Sequence, residues 1–173
     1  GVVYLERAAY AAAVLAARMA DGSVAPAPIW TDLATFDARP WRGVVDIVSG
    51  GYPCQPFSFA GKRAGTDDPR HLWPHIERIL GECEPAVAFF ENVPGHLSLG
   101  FDEVCASLSG LGYRIAAGVF SAAEVGAPHR RERLFILAQR EGGSAWRAGS
   151  GRAASDRVEP DARLADALSR GHG

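Results

Sequence analysis

Short apolar runs rich in β-branched residues alternate with longer amphipathic stretches along most of this chain. Runs between turn residues favour strands, and apolar positions recurring every three or four residues favour helices. We predict strands at residues 2–5, 29–30, 44–49, 86–90, 113–120 and 133–138, and helices at residues 7–19, 72–83 and 101–111. This alternation is typical of an α/β fold with a mostly parallel sheet. The short connection between the last two strands favours an antiparallel pair.

Reactive or polar side chains follow four of the predicted strands, and they are Glu6, Asp32, Cys54 and Glu91. The carboxyl ends of parallel strands meet at one edge of a sheet, which is where open α/β sheets bind ligands. We therefore expect these four residues to lie close together. An acid after an early strand commonly accepts hydrogen bonds from ribose hydroxyls, although helix capping is also open to Glu6 and Asp32.

Cys54 belongs to the most informative stretch, residues 50–55, which read Gly-Gly-Tyr-Pro-Cys-Gln and follow a predicted buried strand. The glycines allow a tight turn, and Pro53 stiffens the approach to the sulfur. A thiol at neutral pH is only slightly ionised but highly nucleophilic. We interpret Cys54 as a nucleophile, and Cys83 and Cys105, on predicted helices, as packing residues.

Glu91 directly follows the apolar run at residues 86–90, with Asn92 beside it. A carboxyl group at the dry end of a strand suits an acid that donates a proton near neutrality. The Asn92 amide offers both a donor and an acceptor. This pair is therefore a second candidate for chemistry.

Three arginines fall within residues 129–133, at the mouth of the last predicted strand. Strand alternation sends Arg131 and Arg133 to the same side. Two such guanidinium groups can activate a thiolate, hold a carbonyl oxygen or bind phosphate. Arg130 is expected to face the other way, as a phosphate contact or a surface residue.

Size and composition fit one domain with a core, since 47% of the 173 residues are hydrophobic. Eighteen Lys and Arg against 20 Asp and Glu exclude binding of nucleic acid by bulk positive charge. Three cysteines without a paired motif fit a reducing compartment. Because the sequence shows neither a signal peptide nor a long apolar span, we expect a soluble, cytoplasmic protein with no membrane partner.

The two ends of the chain are unusual. The sequence opens inside a predicted strand without methionine, and residues 141–173 are rich in small residues and arginine without an apolar period. We expect a partial catalytic domain at residues 1–140, followed by a linker or disordered segment at residues 141–173. We also expect the chain to be part of a longer protein.

Three of these stretches together resemble the DNA (cytosine-5)-methyltransferase family. Residues 50–58 resemble its catalytic-cysteine motif and residues 91–93 its Glu-Asn-Val motif. Residues 129–133 resemble its Gln-x-Arg-x-Arg motif, with His129 in place of the glutamine. The order and the separations of about forty residues also agree.

The resemblance covers residues 1–140 and implies a Rossmann-like fold that uses S-adenosylmethionine, truncated at both ends. The family's glycine-rich cofactor motif, with its strand and helix, is absent from the sequence, as are its target-recognition region and closing helix. We therefore expect the 173 residues neither to fold stably nor to methylate DNA unaided. The implied activity belongs to the intact protein.

The resemblance also implies residue roles. Cys54 would attack C6 of a cytosine flipped out of double-stranded DNA, so that C5 takes the methyl group of S-adenosylmethionine. Glu91 would hold N3 and the exocyclic amine, while Arg133 with Arg131 would hold the base O2. The remaining implied contacts to substrate are Gln55, Ser58, Asn92 and Arg130, with no metal.

For the cofactor, the resemblance implies that Glu6 binds the ribose and Asp32 the adenine amine. Pro53 and Leu72 would form walls of the same site. A cognate restriction endonuclease is an implied partner, as in restriction–modification systems.

Three alternatives stay open on the sequence. One branch of the same family methylates a tRNA cytosine with the same motifs. A cysteine hydrolase would instead need a histidine base for Cys54, and the candidates are His71, His75, His96 and His129. A binding module without catalysis is the third alternative, but it does not explain the position of the thiol.

Overall fold

The computed structural model describes residues 1–53 and 72–142, where strands and helices alternate. The elements are β1 (Tyr4–Leu5), α1 (Ala9–Ala20), β2 (Ile29–Trp30), β3 (Ile47–Gly51), α2 (Trp73–Cys83), β4 (Val87–Asn92), α3 (Phe101–Gly110), β5 (Tyr113–Ser121) and β6 (Glu132–Arg140). None of these described helices is long and apolar enough to cross a membrane. The predicted nucleophile Cys54, its neighbours Gln55 and Ser58, and the predicted linker beyond residue 142 lie outside the described residues.

Four of the strands form one sheet in the order β3–β4–β6–β5. Strand β3 is parallel to β4, whereas β6 runs antiparallel to both of its neighbours. The predicted α/β fold with an antiparallel final strand is confirmed. The predicted antiparallel pair of β5 and β6 is present, and β6 also pairs with β4, so it lies inside the sheet. Strands β1 and β2 form a separate parallel pair.

The hydrophobic core lies on one face of the four-stranded sheet, where α2 and α3 pack. Alternation along β4 and β6 sends every second side chain to this face. The buried residues that meet there include Ala88, Phe90, Leu134, Ile136 and Ala138 from the sheet and Leu80, Phe101, Val104 and Leu108 from the helices. Each large side chain buried in this way contributes about 1.5–3 kcal/mol. This packing fixes β4, and with it the end of the strand that carries Glu91.

Strand β3 begins three residues later than predicted. The backbone N–H groups of Val44 and Val45 both donate to the carbonyl oxygen of Trp41, so the chain turns there before it extends. The strand is also less buried than expected, with Ile47 47% exposed. It is the edge strand of the described sheet, and Ile47 pairs with Val87 on the face opposite the core.

Part of the connection between β2 and β3 packs against α2. Phe36 and Ala38 are buried with Ile79 and Cys83 in a second, smaller cluster. A 3₁₀ turn follows at Arg39–Trp41. The loop that begins at Asp32 is therefore held on the body of the domain.

Candidate active site

A cavity of about 760 Å³ opens where the carboxyl ends of β1, β2 and β3 meet the first turns of α2. The four residues predicted to bind a cofactor, Glu6, Asp32, Pro53 and Leu72, all line this cavity. The structure therefore brings together residues from four separate stretches of sequence. Whether they contact a cofactor stays a prediction.

The two acids are each anchored through one carboxylate oxygen. Glu6 follows β1, and its Oε1 accepts the N–H of Ala8 at 2.7 Å, just before α1 begins. Asp32 follows β2, and its Oδ1 accepts the N–H of Ala34 at 2.9 Å. Because β1 and β2 are parallel neighbours, both carboxylates are presented at the same edge of the pair. Oriented carboxylates of this kind can accept hydrogen bonds from hydroxyl and amine groups.

The cavity has apolar walls, of which the sequence predicted only Pro53 and Leu72. Helix α2 presents Leu72 at its N-cap, and then His75, Ile76 and Ile79 along one face. Spacing of three and four residues is the helical signal for such a face, so the stripe was open to recognition from the sequence. Sites with mostly apolar walls and a few oriented polar groups are typical of small-molecule pockets.

Glu91 and Arg133 form an ion pair beside this cavity, at 2.6 Å between Arg133 Nε and Glu91 Oε1. Glu91 lies one residue before the end of β4, and Arg133 lies one residue after the start of β6. The antiparallel register pairs Asn92 with Leu134, which brings the two charged side chains together. The Arg133 guanidinium also donates to the carbonyl oxygen of Glu132 at 2.7 Å. Both groups were predicted for one site, and the structure places them in contact.

The strand that leads toward Cys54 runs past this ion pair. Gly51 pairs in register with Glu91 across β3 and β4. A Cβ atom at position 51 would lie 3.2 Å from Glu91 Oε2, which is tighter than ordinary contact. Glycine at this position therefore leaves room for the Glu91 carboxylate.

Arg131 and Arg130 do not share the arrangement of Arg133. Both are exposed and precede β6, which begins at Glu132. The ladder between β5 and β6 starts at the pair Ser121 and Glu132, so strand alternation does not extend back to Arg131. The backbone carbonyl of Arg131 accepts the N–H of Ala122. The predicted roles of both arginines toward a substrate stay predictions.

Asn92 is 4% exposed and contacts the protein's own backbone through both ends of its amide. Its Nδ2 donates to the carbonyl oxygen of Tyr52 at 3.1 Å, and its Oδ1 accepts the N–H of Val93 at 2.9 Å. These contacts support a role in bracing the backbone two residues before Cys54. The predicted contact of Asn92 with substrate stays a prediction.

Tyr52 is fixed through its ring as well as its backbone. Its hydroxyl group lies 2.8 Å from Nε2 of His96, which is fully buried in the 3₁₀ turn after β4. The ring also packs edge-on or tilted against Trp73 and Phe90. Burial lowers the pKa of His96, so the imidazole is neutral at neutral pH. This histidine was a candidate base for a cysteine hydrolase, but its Nε2 is bonded to Tyr52.

The two cysteines within the described ranges have the character of packing residues. Cys83 is buried, and burial raises the pKa of its thiol. Burial also raises the pKa of Cys105 to about 12. A thiol with a raised pKa carries little thiolate at neutral pH, so neither residue has the character of a nucleophile.

The sequence profile described as C-5 cytosine-specific DNA methylase matches residues 9–162. The chain belongs to this family. The match spans every described helix and strand from α1 onward, including the Glu91–Arg133 pair.

Relatives of this methylase chain include two bacterial enzymes. The Type II methyltransferase M.PspPI of Psychrobacter is 36% identical over 149 residues, which cover 80% of this chain and 34% of that protein. The Type II methyltransferase M.AplI of Arthrospira platensis is 36% identical over 104 residues, which cover 58% and 29%. The chain thus spans about a third of the length of these curated relatives.

Solved structures share the methylase fold. The S. pombe Dnmt2 methyltransferase superposes with a TM-score of 0.64 at 22% identity, covering 84% of this chain and 45% of that one. A putative DNA modification methyltransferase from an E. coli prophage gives a TM-score of 0.62 at 25% identity, covering 80% and 39%. The α/β architecture around the cavity is therefore that of known methyltransferases.

The lowered pKa of His96 predicts how the stability of the fold depends on pH. As the pH falls below about 6.5, His96 binds a proton in the unfolded chain but not in the folded protein. The free energy of unfolding therefore decreases between pH 6.5 and the lower pKa that His96 has in the folded protein. The difference in unfolding free energy between wild type and His96→Gln should therefore shrink as the pH falls from 7.5 to 5. Urea denaturation of the intact protein at a series of pH values measures this difference.

Tyr52→Phe is the matched control for the His96 experiment. It removes the hydroxyl partner but leaves the imidazole buried, and burial is the main cause of the lowered pKa. This variant should keep the pH dependence of the wild type. A His96→Gln effect that is constant from pH 7.5 to 5 would contradict the prediction.

Proposed function

We propose that the whole protein transfers a methyl group from S-adenosylmethionine to C5 of a cytosine in double-stranded DNA, through a covalent bond between Cys54 and C6. The observation that carries the proposal is the Glu91–Arg133 ion pair, which lies against the strand that leads directly to Cys54. The relatives named as Type II methyltransferases support DNA as the substrate and site-specific action as in restriction–modification.

The residues around the cavity fit S-adenosylmethionine. About 760 Å³ is within the range of small-molecule sites. Glu6 and Asp32 present oriented carboxylates to the ribose hydroxyls and the adenine amine, respectively. Leu72 and Pro53 supply walls for the purine and the sulfonium chain. When bound, S-adenosylmethionine supplies the methyl group as an electrophile.

The thiolate of Cys54 forms a bond to C6 of the cytosine, and the electron pair of the C5–C6 double bond moves onto C5 and the ring. C5 would then form its new bond to the methyl carbon as the bond between that carbon and the sulfonium sulfur breaks and S-adenosylhomocysteine leaves. Loss of the C5 proton to water returns an electron pair to the ring and expels the thiolate. Cys54 is regenerated, so the residue acts as a covalent catalyst.

Glu91 and Arg133 stabilise the charge that addition of the thiolate places on the ring. The Glu91 carboxyl group accepts a hydrogen bond from the exocyclic amine and, after taking up a proton from water, donates it to N3, while Arg133 donates to O2. Arg133 already orients the Glu91 carboxylate at 2.6 Å in the free protein. Donors and acceptors oriented before the reaction need little reorganisation as the charge develops.

The base must leave the duplex, because the stacked ring hides C6 from a thiol. Gln55 and Ser58 are proposed to contact the flipped base and its surroundings, while the buried Asn92 holds the backbone of Tyr52 beside them. The exposed Arg130 and Arg131 are proposed to contact phosphate and, for Arg131, the base as well. A cognate restriction endonuclease and a cytoplasmic location complete the proposal.

Trapping of the covalent bond tests the proposal directly. A long duplex of mixed sequence that carries 5-fluorocytosine in place of every cytosine presents the target cytosine even though the recognised sequence is unknown. Fluorine at C5 cannot be lost as a cation, so the intact protein with S-adenosylmethionine should stay bound to the DNA on a denaturing gel. Cys54→Ser should form no adduct, and Cys105→Ser should form it as the wild type does.

The same assay with tRNA containing 5-fluorocytidine separates the two nucleic-acid substrates. An adduct with DNA alone supports the proposal, and an adduct with tRNA alone would replace DNA by tRNA. An adduct that persists in Cys54→Ser would disprove the role of Cys54. No adduct with either nucleic acid would overturn the proposed chemistry.

Substitution of Gly51 by alanine tests the role of Glu91 without changing a charged residue. The new Cβ would lie 3.2 Å from Glu91 Oε2 and force the carboxylate to move by a few tenths of an ångström. Since a displacement of about 1 Å can cost about 100-fold, we expect the kcat for methyl transfer to fall about threefold to tenfold.

Gly95→Ala is the matched control for Gly51→Ala, because a Cβ at position 95 meets no described atom within 4 Å. Its kcat should equal that of the wild type. Equal kcat values for all three proteins would show that the position of the Glu91 carboxylate does not limit turnover. Separate measurement of S-adenosylmethionine binding excludes an effect of the new methyl group on the cavity.

A further inference from the structure

We propose that Arg78 is a positioning residue of the cofactor site, which it serves by orienting Asp32 from behind the cavity wall. The inference deepens the proposed function and rests on it. Arg78 lies on α2 and does not line the cavity, so it acts through the loop after β2 rather than on the cofactor.

The Arg78 guanidinium group binds the loop through three backbone carbonyl oxygens. Its Nη2 donates to the carbonyl of Leu33 at 2.8 Å and to that of Ala34 at 3.4 Å. Its Nη1 donates to the carbonyl of Phe36 at 2.9 Å. A planar fork with several fixed donors holds such a set, whereas a lysine ammonium group is a single point of contact.

One peptide group connects Arg78 with the Asp32 carboxylate. The carbonyl oxygen of Leu33 and the N–H of Ala34 belong to the same planar peptide. Its oxygen accepts from Arg78, and its N–H donates to Asp32 Oδ1 at 2.9 Å. Rotation of this peptide group would break both hydrogen bonds. By fixing the peptide group, the guanidinium group fixes the direction from which the Ala34 N–H donates to the Asp32 carboxylate.

Glu82, one turn further along α2, keeps Arg78 in place. Its Oε2 accepts from Arg78 Nη1 at 2.8 Å and from the N–H of Ala38 at 2.9 Å. Burial alone would raise the pKa of Glu82, but the hydrogen bonds from Ala38 and Arg78 outweigh it and lower the pKa. The ionised carboxylate therefore fixes both the arginine and the far end of the loop.

Arg78 and Glu82 therefore connect α2 to the wall of the cavity. Leu33 and Ala34 line the cavity together with Asp32, while Phe36 and Ala38 pack into the cluster beside α2. Arg78 is only one-third exposed in its position behind this wall. Its removal should loosen the Asp32 side of the cavity and leave the Glu91–Arg133 side unchanged.

Binding of S-adenosylmethionine to the intact protein, measured by isothermal titration calorimetry without DNA, tests the inference. We expect Arg78→Met to raise the Kd about tenfold, because it removes charged hydrogen bonds that orient the site. Arg78→Lys should fall between this variant and the wild type. The kcat at saturating S-adenosylmethionine should change little, since Arg78 does not contact the groups that react.

Arg42→Met is the matched control. Arg42 also donates to backbone carbonyls, those of Gly81 and Glu82, and pairs with Glu84 at 3.0 Å, but it does not line the cavity. This variant should bind S-adenosylmethionine with the wild-type Kd. A loss as large as that of Arg78→Met would show that general loosening around α2 causes the effect, and the inference would be wrong.

A double variant shows whether Arg78 acts through Asp32. Asp32→Asn should itself weaken binding, and Arg78→Met should add little in that background, because both changes disrupt one unit. If the two losses multiply, or if Arg78→Met alone binds as the wild type does, the inference is wrong while the proposed function stands. If the wild type binds no S-adenosylmethionine, the proposed function fails and the inference fails with it.

Discussion

The parallel pairing of β3 with β4 is the constraint on which the rest of the site depends. It sets Gly51 opposite Glu91, so the strand that continues to Cys54 and the strand that carries the acid end side by side. The antiparallel β6 then returns through the sheet and brings Arg133 back to Glu91. A parallel pair requires a long crossover connection, and here that connection includes α2, which also forms one wall of the cavity. The same topology therefore brings Glu91 and Arg133 together and forms the cavity beside them.

Each acidic group at this edge is already engaged by a fixed donor in the free protein. Ala8 and Ala34 donate backbone N–H groups to Glu6 and Asp32, and Arg133 donates to Glu91. Fixed donors of this kind restrict the rotation of the carboxylates before a ligand arrives, which lowers the entropic cost of binding. Other hydrogen bonds hold the backbone next to these groups. Asn92 donates to the carbonyl oxygen of Tyr52, and Arg78 donates to the loop after β2.

The sequence predicted the parts of the site that follow from position along the chain. Glu6 and Asp32 were placed together because the carboxyl ends of parallel strands share an edge, and both line one cavity. Glu91 and Arg133 were assigned to one site through their motifs, and the structure places them in contact. The helices were also predicted closely, since the apolar period is a local property.

The remaining features depend on partners that are distant in sequence. Asn92 has the same donor and acceptor whether it faces substrate or protein, and only the position of Tyr52, forty residues earlier, favours a bracing role. Arg78 binds backbone carbonyls, which carry no sequence signal. The place of β6 inside the sheet likewise depends on its pairing with β4, a non-local contact that alternation within β6 cannot reveal.

Kinetic analysis of Glu91→Gln, Arg133→Gln and the double variant tests most directly whether the ion pair acts as a unit in methyl transfer to DNA. Non-additive losses in kcat/KM, with a coupling energy of about 1–3 kcal/mol, are the predicted result, and losses that simply multiply would contradict it.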